Sequence, residues 1–204
     1  VAERFGIPEW YTSVDEMIKK CDFDIAIDAA SIQAHHEINM AVLSAGKHLV
    51  SQKPAAPTVE MFDLQIEMAE KMGVKFACAP IHPMRFDLNF AKQIMASGAI
   101  GEPAYLKCNL AHGGPEYFQY RDADPTWFFE NGAGALVDMG VHGLQIVTTM
   151  FGPIESISCL GLITDPQRKV RSGAFNGKVM KTDKIPDEYL ITVKFANGKA
   201  GFID

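Results

Sequence analysis

The sequence predicts an α/β protein in which part of a doubly wound parallel sheet is followed by an α+β domain with a mainly antiparallel sheet. Strand-like and helical segments alternate over the first part of the chain. From about residue 104 onward, strand-like runs follow one another with one helix among them. The dipeptide Asn197-Gly198 between the last two runs is a strong hairpin signal. This change of pattern indicates two domains of different architecture.

In the first part, strands and helices alternate. We predict helices near 14–20 and at 32–46 and 59–72, and strands at 23–29, 47–50 and 74–79. The helix at 32–46 has apolar residues at helical spacing, and Gly46 suits its C-terminal cap. A strand, a helix and a second strand in this order form a parallel crossover. Because ligands bind outside the carboxyl ends of such strands, residues that follow the strands are site candidates.

The second part begins with a predicted helix at 85–97. Further on, the pattern predicts strands at 104–110, 154–163, 188–195 and 199–203, and one helix at about 134–150. The segment 164–187 is rich in Lys, Gly, Pro and Asp, and we predict that it is a mobile insertion.

The composition is that of an ordinary soluble globular chain, with 48% hydrophobic residues, 22% charged residues and a formal net charge of −6. The acidic balance and the lack of a basic cluster interleaved with aromatic residues argue against a nucleic-acid partner. No membrane segment is visible, and we expect no membrane partner. The four cysteines form no C-x-x-C pair, which predicts free, mostly buried thiols. Free thiols are typical of a reducing compartment, so we expect a cytoplasmic protein.

Lys53 lies directly after the predicted strand 47–50 and immediately before Pro54. Proline restricts the backbone of its neighbours, so the lysine charge is expected to have a defined position at the carboxyl end of the strand. A ligand would lie at this end. The alternative is an ordinary surface lysine in a loop.

Asp138 and His142 lie one turn apart in the predicted helix 134–150, which is otherwise apolar almost all round. A buried carboxylate and imidazole must bond each other, a partner or a ligand, because an unpaired polar group costs about 1–3 kcal/mol. A self-satisfied core pair is one alternative. The spacing also suits two metal ligands, but a third ligand is not identifiable among the other histidines, so we predict no metal site.

Four segments of the chain resemble motifs of the Gfo/Idh/MocA oxidoreductases, in the order and at about the spacing of that family: 45–54, 82–86, 98–103 and 132–142. The resemblance covers nearly the whole chain and implies a nicotinamide-dependent sugar or polyol dehydrogenase. Two departures stand out: Gln52 replaces a glutamate of the family, and the glycine-rich dinucleotide fingerprint with its first strand is absent.

From these departures we expect the chain to be part of a longer enzyme. Residues 1–81 would be the remainder of a dinucleotide-binding Rossmann domain. Residues 82–204 would form an incomplete α+β domain for substrate binding and oligomerisation. The resemblance implies a homo-oligomer that assembles through the sheet of this second domain. The cofactor would be NAD or NADP. The sequence does not distinguish between the two, because the residue that does so lies in the missing strand.

The resemblance also implies roles for individual residues. His142 would be the base that takes the hydroxyl proton, Asp138 would bind a substrate hydroxyl or orient the imidazole, and Lys53 would stabilise the developing alkoxide charge. A cis bond before Pro54 would fit the family. The expected cofactor-binding residues are Ala30, Ser31, His35, Gln52, Lys53, Pro54 and Arg85.

The substrate-binding residues are expected in the second domain, in a polar and aromatic stretch of the kind that binds sugars: His112, Tyr117, Arg121, Asp122 and Trp127, together with Asp138. Each of these loop residues could instead only cap secondary structure. His35 and His36 likewise have a simpler interpretation as one helix cap and one solvent-facing residue.

We therefore expect an NAD(P)-dependent oxidoreductase that transfers hydride between nicotinamide and a hydroxyl of a sugar, inositol or related polyol. Two alternatives stay open. One is a nicotinamide-assisted glycosidase, because a few members of the family cleave glycosidic bonds in this way. The other is a non-catalytic binding or assembly module.

Overall fold

The computed structural model describes residues 1–118, 123–130 and 132–204 of the chain. The chain divides into two compact units, Val1–Ala79 and Pro80–Asp204. Each unit has its own apolar core. None of the helices in the described residues has the length and apolarity needed to cross a lipid bilayer.

All residues of the first unit are described. Its helices are α1 (Ala2–Phe5), α2 (Val14–Lys20), α3 (His35–Ser44) and α4 (Val59–Met72), and its strands are β1 (Ile25–Asp28), β2 (His48–Ser51) and β3 (Phe76–Cys78). The strands pair in the order β1-β2-β3, and both pairings are parallel. The predicted parallel α/β arrangement is confirmed.

Local signals explain where the helices begin and end. The Thr58 hydroxyl accepts a hydrogen bond from the Met61 amide, 3.3 Å away, at the start of α4, and Gly73 ends that helix with a left-handed φ of 68°. After α3, Gly46 has a φ of 72° and its N–H donates to Leu43 O, as expected for its predicted role near the cap. A 3-10 turn, Ile32–Ala34, precedes α3.

The helices cover one face of the three-stranded sheet. Val42 and Leu43 of α3 pack with Leu49 of β2 and Ala69 of α4 in a buried cluster. On the other face, large apolar side chains are exposed to solvent: Ile25 (58%), Ile27 (74%) and Val50 (42%). Parallel sheets are usually covered on both faces, so this uncovered face is unusual.

In the second unit, the described helices are α5 (Phe86–Ala96) and α6 (Val141–Phe151). The strands are β4 (Tyr105–Cys108), β5 (Ile154–Leu162), β6 (Gln167–Lys169), β7 (Val179–Lys181), β8 (Glu188–Phe195) and β9 (Ala200–Ile203). Four strands form a sheet in the order β4-β9-β8-β5, in which only the β4–β9 pairing is parallel. This confirms the prediction of a mainly antiparallel sheet.

The core of the second unit lies between α6 and this sheet. Side chains alternate along β8, so that Ile191, Val193 and Phe195 are buried against α6. The rings of Phe151 and Phe195 meet edge to face, with centroids 5.3 Å apart. The hairpin predicted at Asn197-Gly198 joins β8 to β9, and Gly198 has a φ of 82°.

The helix predicted at 134–150 is not regular. It begins as a π-helix, Leu136–Gly140, and continues as α6. The relative orientation of Asp138 and His142 therefore differs from that in a regular helix. A Cβ atom on Gly140 would lie 2.8 Å from Leu136 Cδ1, so a larger residue there would require the Leu136 side chain to shift.

The prediction of a mobile insertion at 164–187 is wrong. Strands β6 and β7 form a two-stranded antiparallel sheet within it. Val170 and Met180 are buried in a cluster with Phe128 and Phe129. Widely spaced apolar residues anchor this segment, whereas its polar composition alone indicated a loop.

The Phe195 ring provides a test of the core of the second unit. We expect Phe195→Ala to destabilise that unit by about 3–5 kcal/mol, because the change removes a fully buried ring and leaves a cavity. Urea unfolding followed by Trp127 fluorescence measures this change. The matched control is Lys194→Ala on the opposite face of β8, where an exposed ion pair with Glu155 is worth about 0–1 kcal/mol. Equal losses in the two variants would contradict the assigned core.

Candidate active site

Lys53 lies in a turn at the carboxyl end of β2. The strand ends at the buried Ser51, and Lys53 itself is half-buried. The Lys53–Pro54 peptide bond is cis, as the resemblance allows. The backbone N–H of Gln52, whose side chain is exposed, donates to Asp28 O at 2.9 Å and so ties the start of the turn to β1.

His35, the first residue of α3, is buried below this turn with 1% of its surface exposed. Its Nδ1 lies 2.7 Å from Pro54 O, and its Nε2 lies 3.2 Å from Ala30 O. His36 is half-buried, with Nδ1 3.0 Å from Gln65 Nε2. The interpretation of these histidines as one cap and one solvent-facing residue is therefore wrong, because the 3-10 turn before α3 brings both rings to buried polar partners.

Ala30 and Ser31 are exposed in the loop that follows β1. The Ala30 N–H donates to Asp28 Oδ1 at 2.9 Å. Asp28 is buried, and its second oxygen, Oδ2, has no hydrogen-bond partner within the described residues. Asp28 was not among the residues predicted for the site, although a carboxylate that ends an otherwise apolar strand is a visible signal in the sequence. Because β1 and β2 are parallel and in register, this loop and the Lys53 turn lie at the same edge of the sheet.

In the second unit, His142 is paired with a histidine that sequence reasoning did not assign to the site. His82 is buried, and its Nε2 lies 3.0 Å from His142 Nδ1. The two rings meet edge to face. The His82 backbone N–H donates to Gln145 Oε1, 3.0 Å away, and Gln145 lies three residues after His142 on α6. The contact with His82 is thus made through Nδ1 of His142.

Burial lowers the pKa of His82 below the usual 6.5, and the positive charge of Arg85 lowers it further. Arg85 itself is exposed in a two-point ion pair with Asp87, at 3.0 Å and 2.5 Å. This pairing lowers the pKa of Asp87. Asp138 is half-buried in the π-helix, and its backbone N–H donates to Gly134 O.

The residues predicted to bind substrate are dispersed. His112 is exposed, its Nδ1 accepts a hydrogen bond from the Gly114 N–H, and it lines a cavity of about 160 Å³ within the second unit. Tyr117 is exposed, with the Arg171 guanidinium 4.8 Å from its ring centre. Trp127 is half-buried and packs edge to face on Phe128. Arg121 and Asp122 lie outside the described residues.

Arg168, which lines the same cavity, is held between two buried carboxylates that sequence reasoning also missed. Its guanidinium lies 2.6 Å from Glu116 Oε1 and 2.5 Å from Asp187 Oδ2. Burial alone would raise the pKa of Asp187, but hydrogen bonds from Thr164, Arg168 and the Asp165 amide outweigh it and lower that pKa. The contacts join residues far apart in sequence and leave no local pattern.

Two further kinds of side chain bear on possible chemistry: the cysteine thiols and the residue types that can bind a metal ion. All four cysteines are free, but only Cys108 is buried, and Cys159 is exposed, so the expectation of mostly buried thiols is wrong. Cys159 is exposed because both faces of β5 are uncovered from Glu155 onward. Within 1–118, 123–130 and 132–204, no group of three His, Cys, Asp or Glu side chains is arranged to hold a metal ion.

Comparison with protein families assigns both units. A family model described as "Oxidoreductase family, NAD-binding Rossmann fold" matches residues 1–79, and one described as "GFO/IDH/MocA C-terminal domain" matches residues 88–204. The chain belongs to the Gfo/Idh/MocA oxidoreductase family. The resemblance found in the sequence motifs is thereby confirmed.

Known members of the Gfo/Idh/MocA family are similar along the whole chain. Levoglucosan dehydrogenase of Pseudarthrobacter phenanthrenivorans is 26% identical, with 100% of this chain and 54% of the relative covered. Myo-inositol 2-dehydrogenase of Thermotoga maritima is 23% identical, with 99% and 55% covered. The chain thus spans about half the length of the curated relatives it matches.

Solved structures show the same fold. An NAD binding oxidoreductase from Klebsiella pneumoniae superposes with a TM-score of 0.79 at 25% identity, covering 99% of this chain and 52% of that one. Levoglucosan dehydrogenase in complex with NADH and L-sorbose superposes with a TM-score of 0.80 at 24% identity, covering 99% and 53%.

The lowered pKa of His82 predicts a pH dependence of stability. Because the folded chain favours neutral His82, the stabilisation is present above the unfolded pKa of about 6.5 and is lost as the pH falls through the folded pKa. We expect wild type to lose more unfolding free energy than His82→Asn between about pH 7.5 and about pH 5.5. Denaturant unfolding at the two pH values measures this difference. Equal losses of unfolding free energy in wild type and His82→Asn would refute the lowered pKa of His82.

The buried charges around Arg168 predict a large effect on stability. Arg168→Met leaves Glu116 and Asp187 without their shared cation, so we expect the second unit to lose about 3–5 kcal/mol. Thermal and urea unfolding measure the loss. The control is Lys184→Met, which removes an exposed ion pair with Glu130 worth about 0–1 kcal/mol. A loss as small as that of the control would show that the Arg168 contacts contribute little.

Proposed function

We propose that the full-length protein containing this chain is an NAD(P)-dependent oxidoreductase. It transfers hydride between nicotinamide and a hydroxyl of a sugar, inositol or related polyol. The observation that carries this proposal is that both units match the domains of one oxidoreductase family. Relatives similar to the chain bear the names of levoglucosan, myo-inositol and D-glucoside dehydrogenases, all of which are named for hydroxyl-bearing rings.

The proposed chemistry uses three residues in the roles that the family motifs suggest. His142 exchanges the hydroxyl proton while hydride moves to or from the same carbon. Its Nδ1 contact with His82 supports this role, because the contact fixes the orientation of the imidazole. Asp138 binds a substrate hydroxyl, and Lys53 stabilises the negative charge that develops on the reacting oxygen.

For the cofactor, we propose that NAD or NADP binds at the carboxyl edge of the parallel sheet. Ala30, Ser31 and Gln52 are exposed there and are available for contact. Lys53 and Pro54 form the turn beside them. His35 is buried, so its proposed contribution is to hold the neighbouring loops. Arg85 belongs to the proposed cofactor set through its motif, and its guanidinium is accessible.

We further propose that a hydroxyl-bearing substrate contacts His112, Tyr117, Arg121 and Trp127 in addition to Asp138. His112 and Tyr117 are both exposed, which supports a role in binding.

A cytoplasmic location agrees with the free state of all four cysteines.

Homo-oligomerisation through the sheet of the second unit is also part of the proposal. Leu160 of β5 and Leu190 of β8 are paired neighbours, exposed by 55% and 37%. Tyr105 of β4 is 70% exposed. Such apolar residues on a sheet face suit contact with a second copy of the chain.

Lys53 gives the direct test of this function. We expect Lys53→Ala in the full-length protein to lower kcat by about 10²–10³-fold, because a cation that stabilises the transition state is lost. The variant should still bind NAD or NADP, as measured by calorimetric titration. Turnover is measured on a panel of sugars and polyols. The control is Lys71→Ala, which changes an exposed lysine at the end of α4.

Three outcomes would count against the proposal. If the wild-type protein binds neither nucleotide, the dehydrogenase function fails and a binding or assembly module takes its place. Cleavage of a glycosidic bond without net change of the cofactor would identify a glycosidase. Equal turnover by Lys53→Ala and Lys71→Ala would remove Lys53 from the mechanism.

A further inference from the structure

Four polar side chains lie buried in the first unit, directly below the turn that carries Lys53. They are His35 and Asn39 of α3, Ser51 of β2 and Gln65 of α4, and we call them the turn-binding cluster. None exposes more than 1% of its surface. Helix positions that face a sheet are normally apolar, because a buried polar group is costly unless it is hydrogen-bonded. The partners of these side chains therefore indicate what they do.

The cluster binds the backbone of the turn rather than only itself. Ala55 O accepts from Gln65 Nε2 at 2.9 Å and from Asn39 Nδ2 at 3.2 Å. Pro54 O lies 2.7 Å from His35 Nδ1, and Gln52 O accepts from the Ser51 hydroxyl at 3.0 Å. Carbonyl oxygens on both sides of Lys53 are thus held by buried donors.

The orientation of both amides follows from these contacts. Gln65 must direct its NH₂ group toward Ala55 O, which can only accept a hydrogen bond. Its Oε1 then accepts from Asn39 Nδ2, 3.3 Å away. The two hydrogens of Asn39 Nδ2 are shared among Ala55 O, Gln65 Oε1 and the Ser51 hydroxyl, which lies 3.0 Å away. That hydroxyl in turn donates to Gln52 O. The donors form one connected network that ends on the turn.

The cluster is not arranged for stability alone. Asn39 Oδ1 is buried and accepts no hydrogen bond within the described residues. Burying this oxygen without a partner costs stability, and an apolar side chain at position 39 would avoid that cost. The asparagine is therefore explained by the hydrogen bonds that its NH₂ group donates. His35 also reaches the loop after β1, with Nε2 3.2 Å from Ala30 O. It thus joins the two loops at the proposed cofactor edge.

We propose that Asn39, Gln65 and His35 are positioning residues that set the place of Lys53 relative to the reacting atoms. The inference rests on the proposed function, in which Lys53 acts on the developing alkoxide. Because these side chains are buried, they act through the backbone of the turn. A displacement of about 1 Å in such a turn is enough to lower turnover about 10²-fold.

Asn39→Asp in the full-length protein tests this proposal. The change keeps the size of the side chain but replaces the donor by a carboxylate oxygen that faces Ala55 O and Gln65 Oε1. We expect kcat to fall about 10²-fold while the Kd for nicotinamide nucleotide changes little. The matched control is Val42→Ala on the same helix, a buried residue whose side chain belongs to the apolar cluster.

A second measurement does not depend on activity. The rate at which an amine-acylating reagent modifies Lys53, relative to the exposed Lys75, is read by peptide mass spectrometry. We expect this ratio to change in Asn39→Asp and to stay at the wild-type value in Val42→Ala. Should Asn39→Asp not fold, His35→Leu and His35→Gln provide the same comparison. Glutamine can still donate to Pro54 O and should restore turnover, whereas leucine should not.

The outcomes separate this inference from the proposed function. If Asn39→Asp and Val42→Ala lower the melting temperature equally and both keep wild-type kcat and Lys53 labelling, the positioning role is overturned. Equal turnover by His35→Leu and His35→Gln also overturns it. If the wild-type protein has no dehydrogenase activity, the proposed function fails. The labelling ratio then still decides the inference: a changed ratio in Asn39→Asp supports control of the turn, and an unchanged ratio overturns it.

Discussion

The parallel pairing of β1 with β2 determines where chemistry can occur in the first unit. The register sets Asp28 beside Ser51, so both strands end at the same edge of the sheet. The loop after β1 and the turn after β2 must then be neighbours, and α3, which connects the strands, begins beneath them. The His35 ring therefore lies between the two loops, with one ring nitrogen 2.7 Å from Pro54 O and the other 3.2 Å from Ala30 O. A shift of one residue in register would turn every side chain of a strand to the opposite face and separate these groups.

In the second unit, the polar groups lie on and around a largely apolar helix. His142 is held by His82 from a distant segment, and Gln145 holds the backbone of His82. Arg168 joins Glu116 to Asp187 in a similar way beside the cavity. In each case other elements supply partners for the buried group, although His82 Nδ1, Glu116 Oε2 and Arg168 Nε have no hydrogen-bond partner within the described residues. The sheet and α6 provide the rigid support on which these partners meet.

Elements with a strong local pattern could be predicted from the sequence. Strand β8 and helix α4 have the predicted bounds, since alternation and helical spacing reflect burial on one face. The turn at Lys53 was found because proline and a preceding strand are local signals. The pairing of His82 with His142 was not predicted, because a contact between residues 60 positions apart leaves no periodic pattern in the sequence. The buried segment 164–187 was missed because its few apolar anchors are diluted by polar residues.

The uncovered face of the three-stranded sheet has a practical consequence for the 204-residue chain in isolation. Ile25, Ile27 and Val50 form an apolar strip on strands whose outer members, β1 and β3, are both edges of the sheet. Unpaired backbone groups beside exposed β-branched residues form a template for adding strands from other molecules. During synthesis and purification, aggregation is therefore expected to compete with native folding. Covering of this strip by a chaperone would then increase the yield of native protein.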